Sequence, residues 1–250
     1  MESTSNNIHI EANRRLREIW RGHLVSNSWP EAIPKLWPLQ YQPMQPGKLL
    51  FVGLNPSHNQ KDNELLSIQV EQGIDPLSDE HALVVTRRDE QSMGLHDGKL
   101  HQYFGQFSTF DPTGEWNHID LLAVRHTKQS EAVAALRLKE EAGLLSSFVR
   151  EQIELTFSLI TELSPPAVVI VNAFGSSIVK QHLTKKISNF ALDNETGFYW
   201  VLLNGRRVPF FFSGMLTGQS AIDKHSRERL IWHVRRALTF QRQAEDLPSR

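Results

Sequence analysis

The chain of 250 residues carries 27 lysines and arginines against 28 aspartates and glutamates, and its formal net charge is -1. This composition is typical of a soluble globular protein, and the near-neutral charge means that a nucleic-acid partner would need a local basic patch. The chain has no cysteine, which excludes disulfides, thiolate-bound metal clusters and cysteine nucleophiles.

The N-terminal part is predicted to hold one long helix and one buried strand. Apolar spacing predicts a helix over Ile10–Leu24, and a connector with five prolines and two tryptophans follows at 26–47. Lys48–Gly53 is apolar on both faces, which predicts a strand covered by helices on both sides. Further helical segments are predicted at Leu65–Val70, Glu80–Val85 and Lys99–Phe107.

The C-terminal part alternates strands and helices. A second strand is predicted at Ile119–Val124, followed by one or two helices over Leu136–Leu163 that end before two prolines. Asn204 and Gly205 predict a β-hairpin turn. The remaining predicted elements are a buried strand within Ala167–Gly175, a helix over Ser176–Leu183 and a closing amphipathic helix over Ala221–Phe240.

This order predicts a three-layer α/β/α sandwich with a central, mainly parallel sheet of about four strands. We expect one domain over residues 1–250, with the N-terminal helix and proline-rich connector of residues 1–45 packed on it. Ligands of such sheets bind at the carboxyl ends of the strands. The corresponding positions here are 53–57, 125–127, 172–175 and 212–217.

Several familiar signatures are absent from the sequence. It has no phosphate-binding P-loop, no GxGxxG, no GxSxG and no HExxH. His118 and His126 lie on one strand-and-loop segment and could converge on a metal ion, but no cysteine or cluster of carboxylates lies near them in the sequence. We therefore expect no metal and no cofactor. No segment has the apolar length of a signal-peptide core or a membrane span, so we expect a cytoplasmic protein with no membrane contact.

"VGLNPS", Val52–Ser57, spans the end of the first predicted strand. It resembles the first motif of the uracil-DNA glycosylase superfamily, in the mismatch-specific uracil/thymine glycosylase branch. "SGMLTGQSAIDKHSRERL", Ser213–Leu230, resembles that branch's second motif, a loop leading into the final helix. "AVVIVNAFGSSIVKQHL" and "IDLLAVRHT" resemble two further strand ends, and the ordered set covers residues 45–240.

The resemblance implies a monofunctional DNA glycosylase that acts on a deaminated or damaged base in DNA. Breaking the N-glycosidic bond requires a positioned water on the sugar side and hydrogen-bond donors on the base side. By this resemblance Asn55 holds the water, and Gly53, Leu54 and Ser57 face the base with their backbone. Asp120 would read the base, while the loop of Ser213, Gly214, Met215 and Leu216 would contact the strand and fill the vacated stack.

Other side chains are candidates by their chemistry alone. Phe104 could stack on a base, although the helical spacing of its aromatic neighbours is more typical of a core. A basic patch could bind phosphates through Arg206, Arg207 and Arg227, and a solvated charged face is the alternative. Asn55 itself could form an Asx turn before Pro56.

The sequence also departs from the family pattern. Ser57 replaces a glycine, three phenylalanines at 210–212 replace the His-Pro or Asn-Pro that opens the second motif, and Asp120 stands near a position where some branches have asparagine. These departures bear on the identity of the base. Two other functions stay open: a catalytically inactive nucleic-acid-binding protein of the same fold, and a hydrolase of small nucleosides or nucleotides. We expect a monomer.

Overall fold

The computed structural model describes residues 8–26, 41–55, 77–78, 101–111, 115–124, 129–136 and 145–245. The helices are α1 (Ile8–Ser26), α2 (Gln102–Gly105), α3 (Gln129–Ala135), α4 (Ser147–Leu163), α5 (Ala173–Lys186) and α6 (Lys224–Glu245), with a 3-10 turn at Phe107–Thr109. The strands are β1 (Leu49–Gly53), β2 (Trp116–Asp120), β3 (Val168–Val171), β4 (Tyr199–Leu203) and β5 (Arg206–Ser213). The predicted helices at 65–70 and 80–85 lie outside the described residues.

The described residues fall into two compact units. The first unit contains residues 8–26, 41–44, 55, 77–78, 120–124, 129–136 and 145–159. The second contains residues 45–54, 101–111, 115–119 and 160–245. That the whole chain forms one domain stays a prediction.

In the first unit, α1 packs along residues 147–159 of α4. The Trp20 and Phe148 rings meet edge to face with centroids 5.3 Å apart, and Arg15 donates to the Ser158 hydroxyl at 3.0 Å. The Asn13 side chain forms two hydrogen bonds with the backbone of Tyr41, at 2.9 Å and 2.6 Å. This amide therefore satisfies both backbone groups of a buried residue in the proline-rich connector.

The second unit is built on a five-stranded sheet with the order β2-β1-β3-β5-β4. Strand β3 pairs in parallel with both β1 and β5, and β4 pairs antiparallel with β5. Lys48 forms an ion pair with Glu115, so the segments that lead into β1 and β2 meet at one edge. The fold class is α/β with a mostly parallel open sheet, consistent with three layers, and the sheet has five strands rather than about four.

Helices of the second unit cover both faces of this sheet. One face contributes alternate residues to a core with α6, in which Phe51 stacks on Phe107 at a centroid distance of 4.0 Å. On the opposite face, α5 contacts β3 and β5, and the Lys180 ammonium lies 4.8 Å from the Phe212 ring. Full burial of one phenylalanine of this core contributes on the order of 2–3 kcal/mol.

The hairpin predicted at Asn204 and Gly205 is confirmed. Both residues are left-handed, with φ of 49° and 79°, as a two-residue turn between antiparallel strands requires. This turn connects β4 to β5 and places the start of β5 at the edge opposite its carboxyl end.

The predicted position of the second strand is wrong by three or four residues. The observed strand is Trp116–Asp120, and residues 121–124 are buried without forming a strand. Their backbone is satisfied by α4 instead: Gln152 accepts from the Ala123 N–H at 2.9 Å, and the Thr156 hydroxyl donates to the Leu121 carbonyl at 3.2 Å. An apolar run can therefore be buried without a strand partner when side chains bind its backbone.

Two helix starts also differ from the prediction because of capping side chains. Helix α5 begins at Ala173 rather than Ser176, since the Asn172 side chain accepts from the Gly175 N–H at 2.9 Å. Helix α6 begins at Lys224 rather than Ala221, since Asp223 accepts from the N–H groups of His225 and Ser226. Hydrogen bonds from Ser226 lower the pKa of Asp223.

His118 of β2 lies in an aromatic cluster of the second unit. Its ring stacks on Phe107 at 5.5 Å and meets Tyr103 and Phe104 edge to face at 5.7 Å and 5.3 Å. Burial among these rings lowers the pKa of His118 to about 3, because an apolar surrounding disfavours the charged imidazolium.

The first prediction concerns acid stability. Between pH 6.5 and about 3 the unfolded chain binds a proton at His118 that the folded chain does not, so stability falls as pH decreases through this range. We expect His118→Phe to reduce that loss between pH 7 and 4 by roughly 1–3 kcal/mol, less than the full shift would give because the residue is partly exposed. Urea unfolding followed by circular dichroism at several pH values measures it. Above pH 7 the free energies of unfolding of the two proteins should change with pH in the same way. An equal dependence of this free energy on pH in both proteins below pH 6.5 would contradict the role of His118.

Candidate active site

The residues that follow β1 begin the first motif. In the second unit, Gly53 and Leu54 are buried, with Leu54 only 4% exposed, so these two residues offer backbone groups rather than side chains. Asn55, the next residue, belongs to the first unit and is half-buried. Its Nδ2 donates to the Val124 carbonyl at 3.4 Å, a long hydrogen bond that orients the amide. Ser57 lies outside the described residues.

The end of β3 is fixed by the start of α5. Asn172 is buried and caps the helix, and its carbonyl accepts from the Ser176 N–H at 2.8 Å. The Ser176 hydroxyl donates to the Ser213 carbonyl at 3.1 Å. The start of α5 therefore holds the last residue of β5 directly.

The loop after β5 carries the second motif. Ser213 ends the strand, and the Met215 carbonyl accepts from the Ile222 N–H at 2.8 Å. Leu216 is 3% exposed and belongs to the core with α6. The predicted role of Leu216 in filling a vacated base stack is therefore not supported by its position, whereas Met215 is only half-buried.

Parallel pairing brings the ends of β1 and β5 to one edge of the sheet. Val52 is opposite Ile170, and Ile170 is opposite Phe212. Gly53 and Ser213 therefore lie at the same level on either side of Val171. Two strand spacings separate them, about 10 Å. The loops that follow β1 and β5 therefore leave the sheet at the same edge.

Asp120 is the last residue of β2 and belongs to the first unit. It is buried, at 7% exposure. Burial raises the pKa of Tyr41, and the Asp120 charge raises it further. The carboxylate thus lies close enough to Tyr41 to act on it electrostatically, and its predicted contact with a base stays a prediction.

Two of the three predicted arginines lie at the other edge of the sheet. Arg206 and Arg207 begin β5, seven and six residues before Ser213, which is roughly 20–23 Å along an extended strand. The Arg206 guanidinium donates to Gln241 at 3.1 Å, and that of Arg207 lies 4.7 Å from the Trp200 ring. Arg206 and Arg207 therefore lie a full strand length from Ser213, and phosphate binding by these two arginines stays a prediction.

Phe104 is also away from this edge. It lies on α2 and is parallel to Trp116, the first residue of β2, at a centroid distance of 6.2 Å. Its contacts with Trp116 and His118 favour the core interpretation. Arg227, by contrast, is in the first turn of α6, within the stretch that resembles the second motif, and donates to Gln106 at 2.8 Å.

Two residues that bind site residues, Ser176 and Gln106, were not predicted. Ser176 supplies the contact to Ser213, and its signal is a hydroxyl in the first turn after the capping Asn172. Gln106 gives no such signal, since its partner Arg227 is 121 residues away.

The first unit has an open groove of about 550 Å³ between α1 and α4. Its lining is mainly charged: Arg15, Glu18, Ile19, Ser147, Arg150, Glu151, Glu154 and Leu155. None of the predicted site residues lines this groove.

Over the described ranges no group of histidines, cysteines and carboxylates could hold a metal ion, and no helix is both long and apolar enough to cross a membrane. No protein-family model matches the chain, and no curated protein matches its sequence.

The second prediction concerns Gly214 in the second-motif loop. A Cβ at this position would lie 2.9 Å from Cγ2 of Ile222, and this methyl is on a branched, stiff side chain. We expect Gly214→Ala to lower the free energy of unfolding by about 1–3 kcal/mol, measured by urea titration. The double variant Gly214→Ala/Ile222→Ala should recover part of the lost free energy of unfolding, because removal of Cγ2 of Ile222 removes the clash.

Gly22 provides the matched control, since a Cβ there would meet nothing within 4 Å and its φ is not positive. Gly22→Ala in α1 should be neutral or stabilising. Strictly additive effects of Gly214→Ala and Ile222→Ala would show that this contact does not control the loop.

Proposed function

We propose that the chain is a monofunctional DNA glycosylase with a uracil-DNA-glycosylase-like three-layer fold, which hydrolyses the N-glycosidic bond of a deaminated or damaged base. One observation carries the proposal: the loops after β1 and β5, which contain the two motifs, leave the sheet at the same edge with one strand between them. This is the arrangement that a base-sized site at the carboxyl ends of parallel strands requires.

Asn55 positions the attacking water in this proposal. A carboxamide oxygen accepts a hydrogen bond from water but is too weak a base to remove its proton fully, so its contribution is orientation. The hydrogen bond from Asn55 Nδ2 to the Val124 carbonyl supports such a role, because it restricts rotation of the amide. Asp120 accepts from a base N–H, and its burial would strengthen that bond.

Backbone groups take the negative charge that develops on the departing base. The buried Gly53 and Leu54 offer N–H and carbonyl groups, and preorganised N–H donors stabilise such charge at little reorganisation cost. Met215 is the side chain proposed to occupy the space that the flipped nucleotide leaves. Met215 is half-buried, and its carbonyl accepts a hydrogen bond from the Ile222 N–H. This bond holds the backbone of the residue that would insert into the stack.

The positions of Arg206 and Arg207 favour a second candidate, hydrolysis of free nucleosides or nucleotides. These two cations lie at the opposite edge of the sheet from Ser213, which leaves fewer charges near the motifs to bind a DNA backbone. A small substrate needs no extended basic surface.

The third prediction tests base release. Labelled oligonucleotides containing uracil, hypoxanthine or other altered bases, in single- and double-stranded form, should lose the base on incubation with the protein. Asn55→Ala should reduce the rate about 100-fold with little change in oligonucleotide binding, because water positioning acts on the chemical step.

Asn204→Gly is the matched control, since it changes an exposed asparagine at the opposite edge and glycine accepts the left-handed turn. No release from any oligonucleotide, or release that Asn55→Ala leaves unchanged, would overturn the proposal. Free nucleosides form a parallel arm, and their cleavage without oligonucleotide cleavage would support the second candidate.

A further inference from the structure

The outward face of α6 carries an aromatic–arginine stripe of Arg229, Trp232, Arg236 and Phe240. Spacings of three and four residues place these side chains on one face of the helix. Trp232 is 56% exposed and Phe240 is 43% exposed. The Arg236 guanidinium carbon lies between them, 5.3 Å from one ring centroid and 5.5 Å from the other.

This stripe does not contribute to the core of the second unit. The buried face of α6 consists of other residues, among them Val234, Ala237 and Leu238. Large exposed rings that are arranged around one guanidinium on the surface of a helix are therefore available to a partner.

The charge of α6 contrasts with that of the whole chain. The helix has six lysines and arginines against two glutamates, while the chain has a net charge of -1. Arg227, Arg235 and Arg242 bind Gln106, the Thr109 carbonyl and Asp111. Arg229 and Arg236 form no ion pair with any residue in the described ranges, so both contribute positive charge at the stripe.

We propose that the aromatic–arginine stripe is a docking surface for single-stranded nucleic acid. Unpaired bases stack on exposed aromatic rings and guanidinium planes, and phosphates pair with arginines, which is the combination that α6 presents. The stripe extends over about 16 Å from Arg229 to Phe240 at 1.5 Å per residue, enough for a short run of nucleotides.

Two other occupants fit less well. Insertion into a membrane surface requires a continuous apolar face, but the outward face of α6 offers two rings separated by an arginine. An acidic protein would satisfy the charges, but it would give the flat rings no stacking partner. The proposal does not depend on base excision, because the stripe contains none of the residues assigned to it.

The fourth prediction is a binding measurement by fluorescence anisotropy. The probes are a labelled oligothymidylate and a labelled abasic strand of equal length, at several salt concentrations. The intact chain should bind oligothymidylate more tightly than the abasic strand, because only the former can stack. Trp232→Ala and Phe240→Ala should each weaken oligothymidylate binding about tenfold, and Trp232→Phe should retain most of the affinity.

Arginine variants test the electrostatic part and do not disturb the buried face of the helix. Arg236→Gln and Arg229→Gln should each lower the slope of log affinity against log salt by about 1. The matched controls are Arg14→Ala, an exposed arginine of α1, and Leu202→Ala, an exposed leucine of β4. Both controls should bind as the unsubstituted chain does.

Equal affinity for the two strands, or binding that Trp232→Ala and Arg236→Gln leave unchanged, would overturn the docking surface. Binding to vesicles of anionic lipid with none to oligothymidylate would do the same and favour the membrane. Base release measured on the same variants keeps the two proposals apart: complete absence of release would remove the glycosylase activity and leave the oligothymidylate result standing.

Discussion

The arrangement of the second unit depends on the parallel pairing of β3 with its two neighbours. β3 is four residues long and fully buried, and its hydrogen bonds set the level of β1 on one side and β5 on the other. A slip of one residue in either pairing would turn every side chain of that strand to the other face. Since both faces of this sheet are covered, such a slip would break two hydrophobic layers at once. The same pairing fixes which loops meet at the carboxyl edge.

How far the sequence predicts this fold depends on how each strand is buried. β1 and β3 are continuous apolar runs, so their positions could be predicted well. β2 could not, because Trp116 and His118 face an aromatic cluster while Asn117 binds the backbone of Gln45. The polar residues of β2 do not show the apolar pattern of a buried strand, whereas the apolar residues 121–124 that follow it do. The hydrogen bonds that satisfy the backbone of Leu121 and Ala123 come from side chains of α4 about thirty positions away. No local sequence pattern reveals them.

The candidate site shows the same division. Positions adjacent to apolar strands, such as Gly53 and Ser213, could be placed at the correct edge because strand direction follows from the connections. Arg206 and Arg207 could not, because nearness in sequence to Ser213 ignores the length of an eight-residue strand. Leu216 was expected to contact the DNA strand by the resemblance of its loop to the second motif, but its side chain lies in the core with α6. A charge or an apolar residue close to a motif is thus informative only once the direction of the strand is known.

The closing helix explains why net charge is a poor guide to partners in this chain. Arg227, Arg235 and Arg242 use their charge to dock α6, through an amide, a backbone carbonyl and a buried carboxylate. Arg236 binds none of these and is held instead between two exposed rings. A guanidinium suits this place better than an ammonium, since it is planar, weakly hydrated and stacks on aromatic faces. Lysine at this position would keep the charge and lose the flat surface, so a partner recognised by stacking would distinguish the two, whereas a partner recognised by charge alone would not.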